Sequence, residues 1–204
     1  ILDDADLDAT MKGLRSVSLI NNGQTCFLGS RILAPRSRYG EVVEALAGLV
    51  NGLTVGNPLD MATDIGPVVS ERQRDRVLGY IAEGRRSGAK LVAGGDVPRG
   101  QPRGWFVEPT VFADVDNSMA IAQEEIFGPV LVVIPYEDED DAVRIANDSV
   151  YGLAGSVWTT DNDKAIEIAR KIRTGTYAVN MYAFDPGAPF GGYKNSGIGR
   201  ENGP

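Results

Sequence analysis

The chain has 204 residues, of which 43% are hydrophobic and 24% are charged, and its formal net charge is −8. This composition is ordinary for a globular domain, and the negative charge argues against nucleic acid as a partner. No apolar run approaches the roughly 20 residues that a membrane span needs, and no signal peptide is recognisable, so we predict no membrane partner.

Helical and extended patterns alternate along the first half of the chain. In order, the predicted elements are a helix ending near residue 20, a strand at 31–34, a helix at 39–51, a loop at 55–66 and a helix from 71 to about 87. Asp6 or Asp8 can cap the first of these helices. Ser70 and Gln73 form a candidate capping box for the third helix, and Gly88 fits its C-cap.

The second half of the chain continues this alternation. In order, we predict a strand at 90–93, a polar loop at 94–104, strands at 106–112 and 130–134, a helix at 138–147, a strand at 154–158, a helix from 161 to about 173 and a strand at 176–180. Strands separated by helices indicate an α/β fold with a largely parallel sheet flanked by helices. The length suits one large domain or two small ones.

Cys26 is the only cysteine, and the chain contains no histidine. No Cys–His dyad, Ser-His-Asp triad or histidine-ligated zinc site can therefore form, and we predict no metal site. A free cysteine is more often a small buried hydrophobe than a reactive group. Cys26, however, directly follows the polar turn at 21–25, and loops placed by a scaffold carry a large share of catalytic residues.

As a nucleophile, Cys26 would need activation by a helix N-terminus, a nearby cation or a carboxylate base. From the polar turn before it, we predict that Cys26 lies at or just before a helix N-terminus, in a partly open cleft. A single cysteine cannot form an internal disulfide, which fits a reducing compartment, and we predict a cytoplasmic location.

Three further segments could carry chemistry. Residues 123–129 (QEEIFGP) place two carboxylates and an aromatic ring directly before a buried strand, and taken alone they are better explained as a solvated turn with a core phenylalanine. Residues 147–153 have the ordinary turn chemistry of a helix exit. The glycine-rich segment 189–201 forms no recognisable phosphate cradle, because Asn202 stands where a dinucleotide fingerprint needs glycine and Ile198 where a P-loop needs lysine.

Taken together, these segments resemble the aldehyde dehydrogenase superfamily, and specifically its catalytic domain. The matching pieces are NNGQTC (21–26), GNPLD (56–60), IGPVVS (65–70), EPTVF (108–112), EEIFGPV (124–130), YGLAGSVWT (151–159), GTYAVN (175–180) and PFGGYKNSGIGRE (189–201). They occur in the family's order and cover nearly the whole chain. The resemblance implies an aldehyde dehydrogenase catalytic-domain fold over residues 1–204.

The resemblance also implies a mechanism and three site residues. Cys26 matches the family's nucleophile, which attacks the carbon of an aldehyde substrate to give a thiohemiacetal, and its backbone N–H would help to hold the oxyanion. Hydride then passes to NAD or NADP, with NAD favoured, and water hydrolyses the resulting thioester to a carboxylic acid. Glu125 matches the glutamate that hydrogen-bonds the nicotinamide ribose, and Phe127 matches the aromatic residue that positions the nicotinamide.

Other parts of the family's machinery are expected outside this sequence. The general-base glutamate, the oxyanion-hole asparagine and the dinucleotide-binding domain precede the matched region in the family, and an oligomerising tail follows it. We therefore expect a domain truncated at both ends, inactive alone, from a full-length homo-oligomer. Ile1 and Leu2 resemble the tail of a buried strand, which favours an excised domain; a processed natural chain is the alternative.

Two other functions stay open from the sequence. CoA-acylating and acyl-phosphate-reducing members of the superfamily share the thiohemiacetal step but use a different acyl acceptor. A non-catalytic binding module of the same fold is the second alternative. The GQTC loop and the complete EEIFGP segment favour the hydrolytic group, and the presence of Cys26, Glu125 and Phe127 together argues against a binding module.

Overall fold

The computed structural model describes residues 1–101 and 103–202. The strands are β1 (Arg31–Pro35), β2 (Lys90–Ala93), β3 (Thr110–Ala113), β4 (Val130–Tyr136), β5 (Tyr151–Gly152), β6 (Ala154–Val157), β7 (Thr176–Val179) and β8 (Tyr193–Lys194). The helices are α1 (Leu7–Ser18), α2 (Tyr39–Asn51), α3 (Glu71–Arg86), α4 (Ala120–Gln123), α5 (Glu139–Asn147) and α6 (Asn162–Lys171). Short 3-10 segments lie at Ile20–Gly23 and Arg36–Arg38. Within the described ranges, no helix is long and apolar enough to cross a membrane.

Four strands form a mixed sheet in the order β1-β4-β3-β2. Strand β4 runs parallel to both β1 and β3, whereas β2 pairs antiparallel with β3 at the edge. Strands β6 and β7 form a separate parallel pair, and the short β5 and β8 pair antiparallel. The predicted α/β fold with helices flanking a sheet is confirmed. Strand β2 departs from the parallel pattern because the chain returns from it to β3 without a crossover helix.

Strand β4 divides the core into two layers. Alternate residues Leu131 and Val133 pack with α1 and α2, while Val130, Val132 and Ile134 pack with α3 and α5 on the opposite face. Because successive side chains of a strand point to opposite faces, a strand covered on both sides must be apolar throughout. Helices therefore cover both faces of the sheet, and the loops at the ends of its strands can carry a site.

Most predicted helix ends lie within two residues of the observed ones. Asp6 and Ser70 accept hydrogen bonds from Ala9 N and Gln73 N, and so cap α1 and α3 as predicted. Gly88 takes a φ of 90°, as a residue beyond a helix C-terminus often does.

The strand predicted at 106–112 is wrong in its first half, because the ladder begins only at Thr110. Pro109 directly precedes that ladder and has no N–H to donate to it. Residues 106 and 107 are nevertheless buried, which explains why their apolar pattern predicted a strand.

Asp4 ties the first residues of the chain to the segment after β6. Its carboxylate accepts hydrogen bonds from the hydroxyls of Thr159 and Thr160 and from the N–H groups of Thr160 and Asp161. Burial raises the pKa of this carboxyl, but these hydrogen bonds outweigh burial and lower the pKa of Asp4 to about 2. Leu2 adds a backbone bond of 2.9 Å to Trp158 O.

Candidate active site

The polar side chains before Cys26 anchor its turn to residues 66–69. Asn22 accepts from Gly66 N at 2.7 Å and donates to Pro67 O at 3.0 Å. Gln24 Oε1 accepts from Val69 N at 3.0 Å. These side chains complete hydrogen bonds that a loop backbone cannot make by itself, and they fix the position of the turn.

The turn also contains three consecutive residues with positive φ. Asn21, Asn22 and Gly23 have φ values of 51°, 58° and 75°. Asparagine and glycine tolerate this left-handed conformation best, which explains why this sequence ends the helical path after α1. Gly23 has a second constraint, because a Cβ there would lie only 2.1 Å from the Gly128 oxygen.

Cys26 is exposed, in a turn that leads into β1. The predicted partly open cleft is confirmed, since Cys26 lines a cavity of about 750 Å³ between the edges of β1 and β6. The predicted helix N-terminus is wrong: α1 has ended at Ser18, and the next regular element is β1. Within residues 1–101 and 103–202, the backbone N–H of Cys26 donates to no backbone acceptor, which leaves it available to a ligand.

A second loop, at residues 124–128, borders the same turn. It joins α4 to β4, and it exposes the side chains of Glu125 and Phe127, the latter at 36% of its surface. Phe127 adopts a φ of 62°, which is an outlier for a bulky side chain. Cys26, Glu125 and Phe127 line one small crevice. The structure thus brings together all three site residues predicted from the sequence.

Side chains of helix α3 donate hydrogen bonds to the backbone of the 124–128 loop. Gln73 Nε2 donates to Ile126 O at 3.2 Å and to Phe127 O at 2.7 Å. Arg76 donates to Glu125 O at 2.6 Å. The capping-box prediction is therefore only half right: Ser70 caps Gln73 N, but the Gln73 amide reaches across to the loop instead of back along its helix.

The third tie between α3 and the loop comes from Tyr80. Its hydroxyl donates to Glu124 Oε2 at 2.6 Å, and the Arg76 guanidinium lies over its ring at 5.0 Å. Burial, together with the hydrogen bond to Glu124, raises the pKa of Tyr80, so the hydroxyl keeps its proton at neutral pH. Sequence analysis missed Arg76 and Tyr80 and gave the Gln73 side chain a different partner; their shared signal is that positions 73, 76 and 80 lie on one helix face.

Four aromatic rings cluster beside the cysteine turn. Phe27 stacks on Tyr182 at 5.1 Å and on Phe184 at 6.5 Å between ring centroids. Phe190 meets Phe27 and Phe184 edge-on at 6.3 and 5.2 Å. These separations are typical of favourable aromatic pairs. Because Phe27 directly follows Cys26, the cluster forms an apolar wall next to the thiol.

Arg31 lines the cavity of about 750 Å³. Its guanidinium donates to three carbonyls at the end of α5, those of Ile145, Ala146 and Asp148, and to Asn117 Oδ1. Such a cation at a helix C-terminus satisfies acceptors that lack an intrahelical partner. Arg31 is thus engaged in structure, whereas Cys26 and Glu125, which line the same cavity, are exposed.

The glycine-rich segment 189–201 closes on itself. Phe190 and Glu201 exchange two backbone hydrogen bonds of 2.6 and 2.7 Å, and Arg200 donates to Gly192 O at 2.8 Å. Lys194 donates to Asn147 O and Ser149 O. Lys194 and Arg200 therefore both bind carbonyls of the chain.

Comparisons with known proteins show the family to which the chain belongs. The sequence model of the aldehyde dehydrogenase family matches residues 1–204. The geranial dehydrogenase of Castellaniella defragrans is 57% identical over 204 residues, which are 100% of this chain and 42% of that protein. The betaine aldehyde dehydrogenase of Brucella ovis is 44% identical over 206 residues, covering 100% of this chain and 42% of that protein.

The fold matches solved structures equally closely. An aldehyde dehydrogenase of Mycobacterium tuberculosis in complex with NAD+ superimposes with a TM-score of 0.98 at 63% identity. That match covers 100% of this chain and 42% of the solved one. The chain therefore spans about two fifths of the length of the relatives that it matches.

Proposed function

Because the chain belongs to the aldehyde dehydrogenase family, we propose that it is the catalytic domain of an enzyme that oxidises an aldehyde to a carboxylic acid, with Cys26 as nucleophile. The observation that carries this proposal is that Cys26 shares a crevice with Glu125 and Phe127. Since the chain covers about two fifths of its relatives, the proposed activity belongs to the full-length protein.

This chain supplies the nucleophile and one oxyanion donor for the first step. The Cys26 thiolate donates an electron pair to the carbonyl carbon, a C–S bond forms, and the carbonyl π electrons move to oxygen. The N–H of Cys26 donates to that oxygen as its charge develops. Removing one such donor in other enzymes costs about 10²–10³ in rate, which sets the scale of its contribution.

The exposed groups of the crevice fit NAD as cofactor. Glu125 presents a carboxylate that can accept hydrogen bonds from ribose hydroxyls, and Phe127 presents a ring that can pack against a flat nicotinamide. NAD+ held by Glu125 and Phe127 would supply the acceptor for the hydride that leaves the thiohemiacetal carbon. We favour NAD over NADP because the related mycobacterial enzyme was solved with NAD+. Water then hydrolyses the Cys26 thioester and frees the thiol.

The aromatic cluster indicates the substrate class. Phe27, Phe184 and Phe190 offer ring surface but no charge to an aldehyde whose carbon has reached Cys26. We therefore propose apolar aldehydes, unsaturated or aromatic, as substrates. The geranial dehydrogenase relative, at 57% identity, is named for an aldehyde of this kind.

The test is the Cys26→Ala variant of the full-length protein, numbered as in this chain. It should form no detectable acid from an apolar aldehyde, yet bind NAD+ in calorimetry within about twofold of the wild type, because the variant keeps Glu125 and Phe127. Turnover above about 1% of the wild type would refute the nucleophile.

A second measurement separates the alternative acyl acceptors. The wild-type protein should release free acid at the same rate with or without CoA or phosphate. Acceleration by CoA would favour the acylating alternative, and binding without turnover would favour the non-catalytic module. A homo-oligomeric assembly and a cytoplasmic location stay predictions. We expect the 204-residue chain alone to be inactive, because the family resemblance places its general base in another segment.

A further inference from the structure

We infer that Gln73 is a positioning residue, which holds Phe127 in its left-handed conformation and thereby presents Phe127 and Glu125 to the cofactor. The inference rests on the proposed function for its chemistry, but its geometry is a property of the chain alone. Gln73 does not touch the crevice; it acts from α3 through the backbone of the 124–128 loop.

The two carbonyls that Gln73 binds are those that define the conformation of Phe127. The Ile126 carbonyl belongs to the peptide before the Phe127 Cα, and the Phe127 carbonyl belongs to the peptide after it. The φ and ψ angles of Phe127 are the rotations between these two peptide planes. One amide group that donates to both oxygens, at 3.2 and 2.7 Å, therefore restrains the orientation of the two planes relative to each other.

The left-handed conformation of Phe127 requires a restraint of this kind. A bulky residue at a φ of 62° is an outlier that persists only where its surroundings determine it. Without the amide, the Phe127 backbone would relax toward negative φ, and its ring would leave the crevice that it shares with Cys26. The loop is thus an element under strain at a candidate site, and Gln73 opposes its relaxation.

The Gln73 side chain is not needed to cap α3. Its backbone N–H is already capped by Ser70 Oγ at 3.2 Å, so the helix does not depend on the side-chain amide. Arg76 and Tyr80 secure the preceding part of the same loop, at Glu125 O and at the Glu124 carboxylate. Gln73 and Arg76 thus hold the backbone of the loop and Tyr80 holds the Glu124 side chain, while Glu125 stays exposed.

The decisive variant is Gln73→Met, which keeps the side-chain length but removes both donors. In the full-length protein without NAD+, we expect hydrogen exchange of the Thr110 and Val130 amides, which donate to Pro129 O and Gly128 O at the end of the loop, to quicken about tenfold. We expect a dissociation constant for NAD+ about tenfold higher and hydride transfer about tenfold slower in single turnovers. Alkylation of Cys26 by iodoacetamide should stay within about twofold, since the cysteine turn is anchored separately.

Two further variants serve as controls. Gln73→Lys keeps donors that can reach both carbonyls and should restore exchange and hydride transfer toward the wild type. Arg72→Met changes an exposed residue of the same helical turn and should alter neither. Unchanged hydrogen exchange in Gln73→Met would overturn the inference. A variant that loses hydride transfer, cysteine alkylation and thermal stability to the same extent would also overturn it, because a uniform loss indicates a merely structural role for Gln73.

The test of Gln73 is independent of the test of the proposed function. If Glu125→Gln leaves hydride transfer unchanged, the cofactor assignment of Glu125 fails, while the exchange measurement without NAD+ still decides the role of Gln73. If Gln73→Met does not fold, Tyr80→Phe replaces it. Loss of its bond to Glu124 should speed exchange of the loop in the same direction, and unchanged exchange there would overturn the α3 mechanism.

Discussion

Gly23 lies against the peptide between Gly128 and Pro129 so closely that a Cβ on Gly23 would stand 2.1 Å from the Gly128 oxygen and 2.7 Å from the Pro129 nitrogen. This contact joins the turn that carries Cys26 to the loop that carries Glu125 and Phe127. The approach of the cysteine turn to the 124–128 loop is therefore a backbone contact, which the absence of a side chain at Gly23 permits.

Replacing Gly23 with alanine should separate the two loops. Alanine also strains at the φ of 75°, so we expect a loss of about 2–4 kcal/mol in stability and at least about a hundredfold loss of turnover. Thermal melts and steady-state kinetics of the full-length protein measure both. Gly29→Ala is the control, because its Cβ would meet Ser18 Oγ at an ordinary 3.7 Å. Wild-type turnover in Gly23→Ala would show that the contact is dispensable.

Glu125→Gln tests the cofactor assignment. The amide keeps the shape of the side chain but accepts weaker hydrogen bonds, and it can turn a donor toward the ribose hydroxyls. We expect hydride transfer to slow by about 10–100-fold, with a smaller rise in the NAD+ dissociation constant, measured by stopped-flow absorbance and calorimetry. Glu44→Gln, an exposed change on α2, should leave both values alone. An unaltered hydride step in Glu125→Gln would remove this residue from the site.

The sequence predicted the elements whose signals are local. The caps at Asp6 and Ser70 depend on side chains that bind N–H groups three residues away, so the chain itself contains the whole signal. Gln73 shows why other features escaped. A glutamine at the third helical position can reach back to the cap or across to another loop, and its actual partner is 53 residues distant.

The prediction of a helix at Cys26 failed for a related reason. The polar run before the cysteine resembles an N-terminal cap, but Asn22 and Gln24 use their side chains to bind residues 66–69. The three positive φ angles at 21–23 then turn the chain toward β1. The site residues themselves were predicted from resemblance to the family, since spacing alone does not bring position 26 next to 125.

The aromatic wall should set substrate preference. Phe184 is 46% exposed and pairs edge-on with Phe190 at 5.2 Å, so its removal opens the wall without emptying the core. Phe184→Ala should raise KM for cinnamaldehyde about tenfold and change KM for acetaldehyde less than about twofold. Met181→Ala, an exposed neighbour outside the cluster, is the control. Equal factors for both aldehydes would show that Phe184 does not select substrates.

Asp4 should make stability depend on acid pH. Its folded pKa of about 2 lies below the ordinary value of about 4, so the stabilisation is complete above about pH 4 and disappears as the pH falls toward 2. The shift alone would correspond to about 2 kcal/mol, and exposure of this carboxylate reduces the expected gain to about 1 kcal/mol. Asp4→Asn should therefore lower stability by about 1 kcal/mol at pH 7 and by almost nothing near pH 2.

Thr160→Ala, which removes one donor to this carboxylate, should show a smaller difference with the same pH dependence. Denaturant titrations of the full-length protein between pH 2 and 7 measure these values, and a difference between wild type and Asp4→Asn that stays constant over that range would contradict the assignment.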